Sequence, residues 1–331
     1  METGAQRKNT RAILPSCVRF SNGNLLKVSI GIPAYNEEGS IGVLLNELLT
    51  QLDSNIVEIV VSDDGSTDRT CAEVLRVASE IKNPQGVIRL IKGKQRCGKA
   101  AAINRILKVA QGDVVVLMDA DTKLSKNCVS RLVDPFSHDK NIYVVSGNVL
   151  PLNSSRESKF LSFASSFQRE LNDLLSQGLI DKNQAPKVNG AFFAFRKQIV
   201  DHIPQMVVSD DEYVSWCAQA QGHKVTYVSD AKVYAKDPMN VRDYLAKRRR
   251  VLGGHFLIKN TSHYVVPTTR IDVLAPVFGK VAVKYWRKSF YLIALVFFES
   301  LCRLFAFSDA IQGKVSPRYR AESSKLLAKK L

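Results

Sequence analysis

The stretch Val28-Ser29-Ile30-Gly31-Ile32-Pro33-Ala34-Tyr35-Asn36-Glu37-Glu38 opens the first regular pattern in this 331-residue chain. Residues 28–33 form a short apolar run that is typical of a buried strand. Directly behind it, Ile41, Leu44, Leu45 and Leu48 recur at the spacing of one helix face. The stretch therefore predicts a strand, a polar turn and a helix, in that order.

The same unit repeats downstream. Residues 56–62, 87–91 and 114–118 are β-branched or apolar runs, and helical spacing follows the first two of them. Strands that alternate with helices across short turns predict a parallel, doubly wound α/β sheet. Such sheets bind ligands at the carboxyl ends of their strands, so we look for a site just after these runs.

Carboxylates stand at two of those strand ends. Ser62-Asp63-Asp64-Gly65-Ser66-Thr67-Asp68 follows the second strand, and Asp119-Ala120-Asp121 follows the fourth. The first could equally be a polar turn that caps the next helix. The Asp-x-Asp triplet could direct two carboxylates at one hard cation, Mg²⁺ or Mn²⁺, which would bridge to a diphosphate.

Three further stretches carry charge, and the first two stand at predicted helix starts. Gly98-Lys99 opens a helix whose free amides suit phosphate, although an ordinary helix start reads the same way. Asp210-Asp211-Glu212 could supply a general base, or simply complement a helix dipole. Lys247-Arg248-Arg249-Arg250 could pair with phosphate oxygens, or form a solvated or lipid-facing basic surface.

Taken in order, these motifs resemble those of a family 2 inverting glycosyltransferase of the GT-A fold, of the membrane-associated type. The resemblance covers roughly residues 27–258. It also includes Asn189-Gly190-Ala191, between the Asp-x-Asp triplet and the Asp210-Asp211 pair. It implies a Rossmann-like nucleotide-diphospho-sugar transferase fold with a mostly parallel central sheet.

The resemblance also implies roles for single residues. The donor-binding residues would be Pro33, Tyr35, Glu37, Asp63, Asp64, Lys99, Asp119, Asn189, Gly190 and either Arg249 or Arg250. Asp121 would be the direct metal ligand, with Asp119 beside it. Asp211 matches the usual catalytic base, but Asp210 stands where Glu is commoner, so the choice between the two acids stays open. Many membrane-bound members carry Gln-x-x-Arg-Trp where this chain has Lys247-Arg248-Arg249-Arg250-Val251, which weakens a prediction of processive polymer synthesis.

The resulting functional prediction is a metal-dependent hexosyltransferase in glycan, glycolipid or polysaccharide synthesis. It would move a sugar from a nucleoside diphosphate to a hydroxyl or lipid-phosphate acceptor, carried by a lipid-linked or glycan molecule. Two alternatives stay open: a catalytically silent nucleotide-sugar-binding subunit and a nucleotidyltransferase. The latter usually has a Gly-rich basic loop after its first strand, where this chain has Ala34-Tyr35-Asn36-Glu37-Glu38.

Beyond residue 258 the composition changes. Residues 289–307, SFYLIALVFFESLCRLFAF, are long enough to approach the thickness of a hydrocarbon core. Glu299 and Arg303 interrupt this run at a spacing that would let them pair on one helix face. Basic flanks, with Tyr285 and Trp286, suit a headgroup region. The segment could be an interfacial helix, a single span, or a buried core or dimer helix.

Composition narrows the possibilities further. Lys and Arg exceed Asp and Glu by 16, which favours acidic partners such as an anionic membrane. A nucleic-acid partner is not expected, because carboxylates gathered at strand ends repel phosphate unless a metal intervenes. The six scattered cysteines fit a reducing compartment. We therefore predict a polar leader over 1–26, a catalytic domain over 27–258, a C-terminal segment over 259–331, and a location at the cytoplasmic face of the cell membrane.

Overall fold

The computed structural model describes residues 26–80, 87–152, 158–238 and 240–315. All of the predicted leader except Leu26 lies outside these residues. The first half follows the predicted alternation: β1 (Val28–Ala34), α1 (Ile41–Leu49), β2 (Ile56–Asp63), α2 (Thr70–Glu80), β3 (Ile88–Lys92), α3 (Lys99–Val109) and β4 (Val114–Met118).

The second half is less regular and runs through β5 (Thr122–Leu124), α4 (Cys128–Val133), α5 (Pro135–His138), β6 (Ile142–Pro151), α6 (Lys159–Asp181), β7 (Phe192–Arg196), α7 (Asp210–Ala220), β8 (Lys224–Ala235) and α8 (Val241–Ser262). Two more helices follow, α9 (Ile271–Lys284) and α10 (Ser289–Ile311).

The described strands form one mixed sheet in the order β3-β2-β1-β4-β7-β6-β8-β5. Parallel pairing joins β1 to β2 and β4, β2 to β3, and β6 to β8. Strand β7 runs antiparallel to both of its neighbours, β4 and β6. The predicted mostly parallel sheet is confirmed, with β7 reversed at its centre.

Side chains alternate between the two faces of this sheet, as the period of a strand requires. On β4, Val114, Val116 and Met118 join the core beneath α1, while Val115 and Leu117 join the core beneath α3. All five are fully buried. Burial on both faces explains why β4 reads as a continuous apolar run.

The C-terminal helices pack on one another and on α6 and α8. Their shared core includes Phe163, Phe167, Tyr244, Val281 and Leu295. Helix α10 buries Leu295, Cys302 and Ala306 but exposes Phe290, Ile293 and Phe297. Within the described residues, the helix over Trp286–Ile311 is the one long and apolar enough to cross a membrane, and 17% of its most apolar window is buried.

Candidate active site

The Asp-x-Asp triplet lies where the two kinds of strand meet. Strand β4 ends at Met118, which pairs with Phe192, the first residue of β7. Because β7 is antiparallel, the residues that precede it lie beside the carboxyl end of β4. The Asp119 N–H donates to the Ala191 carbonyl at 3.1 Å. The reversal of β7 therefore brings Asn189-Gly190-Ala191 next to Asp119.

Lys99, at the start of α3, joins three segments of this site. Its Nζ donates to Asp119 Oδ1 at 2.8 Å and to the Gly190 carbonyl at 2.9 Å. Asp210 Oδ2 lies 3.6 Å away. Burial alone would lower the pKa of Lys99, but Asp119 and Asp210 reverse this and hold that pKa above its usual value. Lys99 is thus a fixed cation among carboxylates.

The two acids at the start of α7 have different surroundings. Asp211 Oδ2 accepts from the Gly190 N–H at 2.8 Å, and its Oδ1 accepts from the Glu212 N–H at 2.9 Å. Asp211 is half-buried, whereas Asp210 is buried and its Oδ2 has no hydrogen-bond partner among the described residues. Burial raises the pKa of Asp210 to about 6; Lys99 opposes the shift and Asp211 adds to it. The backbone therefore orients Asp211, and Asp210 faces Lys99.

The residues suited to a metal are Asp119 and Asp121. Burial, and then repulsion from Asp119, raise the pKa of Asp121, and the attraction of Lys247 and Lys236 for its charged form only partly opposes this shift. Among the described residues Asp121 forms no ion pair, and no group of three or more His, Cys, Asp or Glu residues could hold a metal. Two carboxylates fit Mg²⁺ or Mn²⁺ only when phosphate oxygens complete the ligand set.

These groups line one cavity of about 240 Å³, which we call the cleft. It brings together twelve residues of the motifs quoted above: Lys99, Asp119, Asp121, Asn189, Gly190, Ala191, Asp210, Asp211, Lys247, Arg248, Arg250 and Val251. Asn189 is held at its rim, because its N–H donates to Ser146 Oγ at 3.0 Å and its side-chain oxygen accepts from the Ala191 N–H at 3.2 Å.

The remaining predicted donor residues lie outside the lining of the cleft, at the ends of β1 and β2. Asp63 accepts from the N–H groups of Gly65 and Ser66, and Asp64 accepts from those of Cys97 and Gly98. Both carboxylates are buried, and Asp64 also pairs with Arg105 at 2.9 Å. In the structure, these hydrogen bonds hold the turn after β2 and the turn before α3. Contact of Asp63 and Asp64 with a nucleobase or ribose stays a prediction.

Pro33, Tyr35 and Glu37 follow β1 on the same edge. Arg96 lies over the Tyr35 ring, 4.2 Å from its centroid. Glu37 accepts from Ser40 Oγ at 2.7 Å, and its N–H donates to Thr70 at 2.7 Å. These contacts interlock the turns after β1 and β2, as a border of a nucleotide pocket requires, although no ligand contact is shown.

The basic run on α8 divides between two sides of the helix. Arg250 lines the cleft, and its buried Nε has no partner among the described residues. Arg249 turns away to pair with Asp309 of α10 and lies over the Phe305 ring. This placement corrects the prediction that Arg249 could serve the donor, because successive helical residues point about 100° apart.

Several lining residues were not predicted. Lys247 and Arg248 belong to a run that the sequence did single out, but Arg169, Lys187 and His255 carry no motif signal. His255 is buried with an unpartnered Nδ1, and burial, then Lys187 and Arg248, lower its pKa well below the usual value. Only tertiary packing shows that these side chains face Asp121 and Asp211.

The predicted Glu299–Arg303 pair is also replaced. Glu299 accepts from Arg248 through both oxygens, at 2.6 and 2.7 Å, from Tyr244 at 2.9 Å and from Gln168 at 2.7 Å. We call these four residues the Glu299 network. It connects α10 to α6 and α8, because the partly buried Glu299 carboxylate is satisfied by the two-point contact with Arg248 and by two further hydrogen bonds.

Comparison with known proteins supports one family. The glycosyl transferase family 2 profile matches residues 29–203, which is more than half of the chain. A dolichol-phosphate mannosyltransferase from Pyrococcus furiosus is 32% identical over 186 residues, covering 54% of this chain and 48% of that protein. A poly-β-1,6-N-acetyl-D-glucosamine synthase from Staphylococcus aureus is 24% identical over 262 residues, covering 77% of this chain and 61% of that protein. The chain thus spans roughly half to three-fifths of the length of these curated relatives.

Solved structures agree on the fold. A mannosyltransferase from Pyrobaculum calidifontis, solved with GDP-mannose and Mn²⁺, superposes with a TM-score of 0.62 at 20% identity, covering 87% of this chain and 88% of that chain. Glucosyl-3-phosphoglycerate synthase from Mycobacterium tuberculosis, solved with Mn²⁺, UDP and phosphoglyceric acid, gives 0.50 at 19% identity, covering 72% of this chain and 79% of that chain. The mixed sheet, its reversed central strand and the family profile lead to one conclusion: this chain belongs to glycosyl transferase family 2, the predicted class, and has the GT-A fold.

Proposed function

We propose that this chain is an active, metal-dependent inverting glycosyltransferase that uses a nucleoside-diphosphate sugar at the cytoplasmic face of a membrane. The observation that carries the proposal is the composition of the cleft. One cavity holds a pair of acids suited to a cation, an oriented carboxylate and an arginine with a buried unpartnered Nε. A silent binding subunit would not need the oriented carboxylate.

The base in this proposal is Asp211. For an acceptor hydroxyl, its carboxylate would take the proton as the hydroxyl oxygen attacks the anomeric carbon in line, which inverts the configuration. The Gly190 N–H at 2.8 Å fixes the direction of that carboxylate. Buried Asp210 has Lys99 as its neighbour and would keep this cation in place. General-base catalysis of this kind is worth roughly 10²- to 10⁴-fold in rate.

Positively charged groups would stabilise the leaving nucleoside diphosphate. Arg250 could donate its unpartnered Nε–H to a diphosphate oxygen, and Lys247 lies close enough to Asp121 for each to shift the pKa of the other. Asp119 and Asp121 would hold Mg²⁺ or Mn²⁺, which when bound neutralises charge that develops on the diphosphate. The relatives support this choice, since the two solved structures above contain Mn²⁺.

The membrane part of the proposal rests on α9 and α10. Their outward surface exposes Ile271, Val283, Trp286, Phe290 and Ile293, each at least 67% exposed. Lys280, Lys284, Arg287 and Lys288 accompany this surface, as is typical of helices that lie in an anionic interface. Because the Glu299 network ties the opposite face to the domain, we propose that α10 lies in the interface and does not span the membrane.

The test is a donor screen with purified full-length chain. Release of nucleoside diphosphate would be followed with GDP-mannose, UDP-glucose, UDP-N-acetylglucosamine and a dTDP-sugar, with Mg²⁺ or Mn²⁺. We expect one donor to be used, with activity lost on EDTA treatment and in Asp121→Asn. The matched control is Asp230→Asn, an exposed aspartate on β8. No release and no nucleotide binding with any donor would contradict the proposal.

A further inference from the structure

A second cavity of about 300 Å³ lies between α6, α8, α9 and α10, and we call it the side cavity. It adjoins the cleft, since Gln168, Asn172, Lys187, Arg248 and His255 line both. It also reaches the outward surface, because Val296 lines it and is 45% exposed. The side cavity therefore lies between the cleft with the proposed catalytic groups and the apolar face of α10.

The lining of the side cavity is divided by chemistry. Helices α6, α9 and α10 supply its apolar wall: Phe167, Leu171, Leu274, Phe278, Leu295 and Val296. The rest of its lining carries three cations against one carboxylate, Glu299: Lys187 and Arg248, which also line the cleft, and Arg303 of α10. Such a division fits an amphiphile with an anionic head and an apolar chain.

The cations of the side cavity exceed the anions available to them. Arg248 is paired with Glu299, but neither Lys187 nor Arg303 forms an ion pair with a described residue. His255, 95% excluded from solvent, also lines the side cavity, and its Nδ1 has no hydrogen-bond partner in the part of the chain that the structure describes. Unpaired positive charge at the edge of an apolar cavity is costly unless an anion neutralises it.

We infer that the side cavity is the acceptor site and that it takes a lipid phosphate, with the phosphate among Lys187, Arg248 and Arg303 and the chain leaving along the apolar wall toward α10. This inference rests on the proposed function and deepens it by choosing the acceptor. The chain would pass from the cavity to the apolar surface of α10, so one lipid could stay in the interface while its head enters the cleft.

The chemistry of this acceptor balances without a further reactant. An oxygen of the lipid phosphate forms the bond to the anomeric carbon as the bond from that carbon to the donor diphosphate breaks. The electron pair leaves with the nucleoside diphosphate. Because a phosphate monoester loses its second proton near pH 6, the attacking oxygen carries no proton at neutral pH. Asp211 is then less important as a general base than it is when the acceptor is a hydroxyl.

The experiment uses farnesyl phosphate as the probe. Two compounds serve for comparison: farnesol, which lacks the phosphate, and inorganic phosphate, which lacks the apolar chain. Binding is measured by calorimetry, and transfer is measured with the donor found in the screen. We expect only farnesyl phosphate to bind and to accept sugar. Equal use of inorganic phosphate would overturn the role of the apolar wall, and equal use of farnesol would overturn the role of the cations.

Two variants test the residues. Arg303→Gln should raise the Kd and the KM for farnesyl phosphate at least tenfold with a smaller change in kcat, and Arg303→Lys should restore them. Leu274→Trp should abolish binding by filling the cavity. Arg76→Gln and Leu75→Trp, at two exposed positions of α2, are the matched controls and should behave like the parent. Unchanged affinity in both test variants would refute the inference.

The outcomes separate the inference from the proposed function. If the donor is hydrolysed with metal but farnesyl phosphate neither binds nor accepts sugar, the proposed activity stands and the inference falls. If farnesyl phosphate binds with the expected dependence on Arg303 and Leu274 while no donor is used, the lipid site stands and the proposed activity falls.

Discussion

At the residue scale, the ammonium of Lys99 holds together positions that are far apart in the chain. It reaches Asp119, the Gly190 carbonyl and Asp210, which belong to three different connections. A Cβ at Gly190 would lie 3.0 Å from Asp211 Oδ2, so a larger residue would displace that carboxylate by a few tenths of an ångström. The glycine and the half-buried Lys99 therefore set the positions of the two acids.

Exchange of Asp211 for Asn tests the base. Asp211→Asn keeps the shape and an oxygen that can accept from the Gly190 N–H, but it removes the group that takes a proton. We expect donor hydrolysis by water to fall by roughly 10²-fold or more, with nucleotide affinity unchanged. Stopped assays of nucleoside diphosphate release measure the rate of hydrolysis, and calorimetry with the nucleotide measures its affinity.

Asp210→Asn provides the contrast. It leaves Asp211 in place but removes a charge that holds Lys99, so we expect weaker nucleotide affinity together with slower turnover. Near-normal hydrolysis by Asp211→Asn, with loss confined to Asp210→Asn, would transfer the role of base to Asp210.

Glu212 gives a prediction about pH and stability. It is fully buried, and its Oε2 accepts from Tyr264 at 3.0 Å. Burial, then repulsion from Asp211, raises its pKa from 4.5 to about 8. The folded chain thus keeps a proton that the unfolded chain has lost, so the stabilisation is complete below pH 4.5 and disappears as the pH rises through 8.

Glu212→Gln should flatten this dependence. Between pH 5 and pH 8.5 we expect the Tm of the parent chain to fall more than that of the variant, with a difference in unfolding free energy on the order of a few kcal/mol. Thermal melts across this range measure it. Parallel curves for the two chains would show that Glu212 does not titrate as stated.

At the element scale, two ion pairs join α8 to α10 in different surroundings. Arg248–Glu299 lies within the Glu299 network, with side chains 26% and 17% exposed, whereas Arg249 of the Arg249–Asp309 pair is 47% exposed. Removal of one partner from a buried ion pair leaves the other charge buried without compensation, which is strongly destabilising. Water screens an exposed pair, so its loss costs little. The same helix thus carries one strong and one weak attachment.

The two attachments can be compared directly. Glu299→Gln should destabilise the chain by about 3 kcal/mol, and Asp309→Asn by less than about 1 kcal/mol. Denaturant melts and the rate of proteolytic cleavage near α10 would show the difference. Equal, small effects would mean that apolar packing alone holds α10.

The sequence predicts those elements whose apolar residues recur at regular spacing and those site residues that stand at the ends of such elements. Strands β1 to β4 and helices α1 to α3 are read from apolar periodicity, and Asp119, Asp121 and Lys99 are found because they stand at element ends. Helix α8 is missed because its buried positions do not form a clean stripe: Gly253, Gly254 and His255 are buried beside exposed Arg and Lys residues. Arg169, Lys187 and His255 are missed because long-range packing alone brings them to the cleft.

At the scale of the whole molecule, charge and apolar surface coincide. The net charge is +16, and the exposed aromatic residues Trp286, Phe290, Phe297 and Phe307 all lie on the segment that carries α10. An apolar face with basic flanks binds best to anionic lipid. This coincidence supports the proposal that this side of the molecule contacts a bilayer.

Vesicle binding tests this orientation. The double variant Phe290→Ser and Phe297→Ser should lower the fraction that sediments with anionic vesicles at least fivefold, while Leu75→Ser, an exposed leucine on α2, should not. Because long-range attraction is screened, binding should also weaken between about 50 and 500 mM salt. Equal sedimentation of the double variant and the parent would exclude this face.

The cleft and the adjoining side cavity are built from distant parts of the chain, and this has a consequence for biosynthesis. Domains fold from the N-terminal side as translation proceeds, so strands β1 to β4 are available early. The wall that α10 supplies, with Glu299 and Arg303, reaches the nascent protein some fifty residues after Arg248 has emerged. Until then Arg248 has no carboxylate from α10 to pair with, and the nascent chain could bind a nucleotide without yet offering a closed place for its second substrate. Order of synthesis alone would then delay turnover until the final helix has docked.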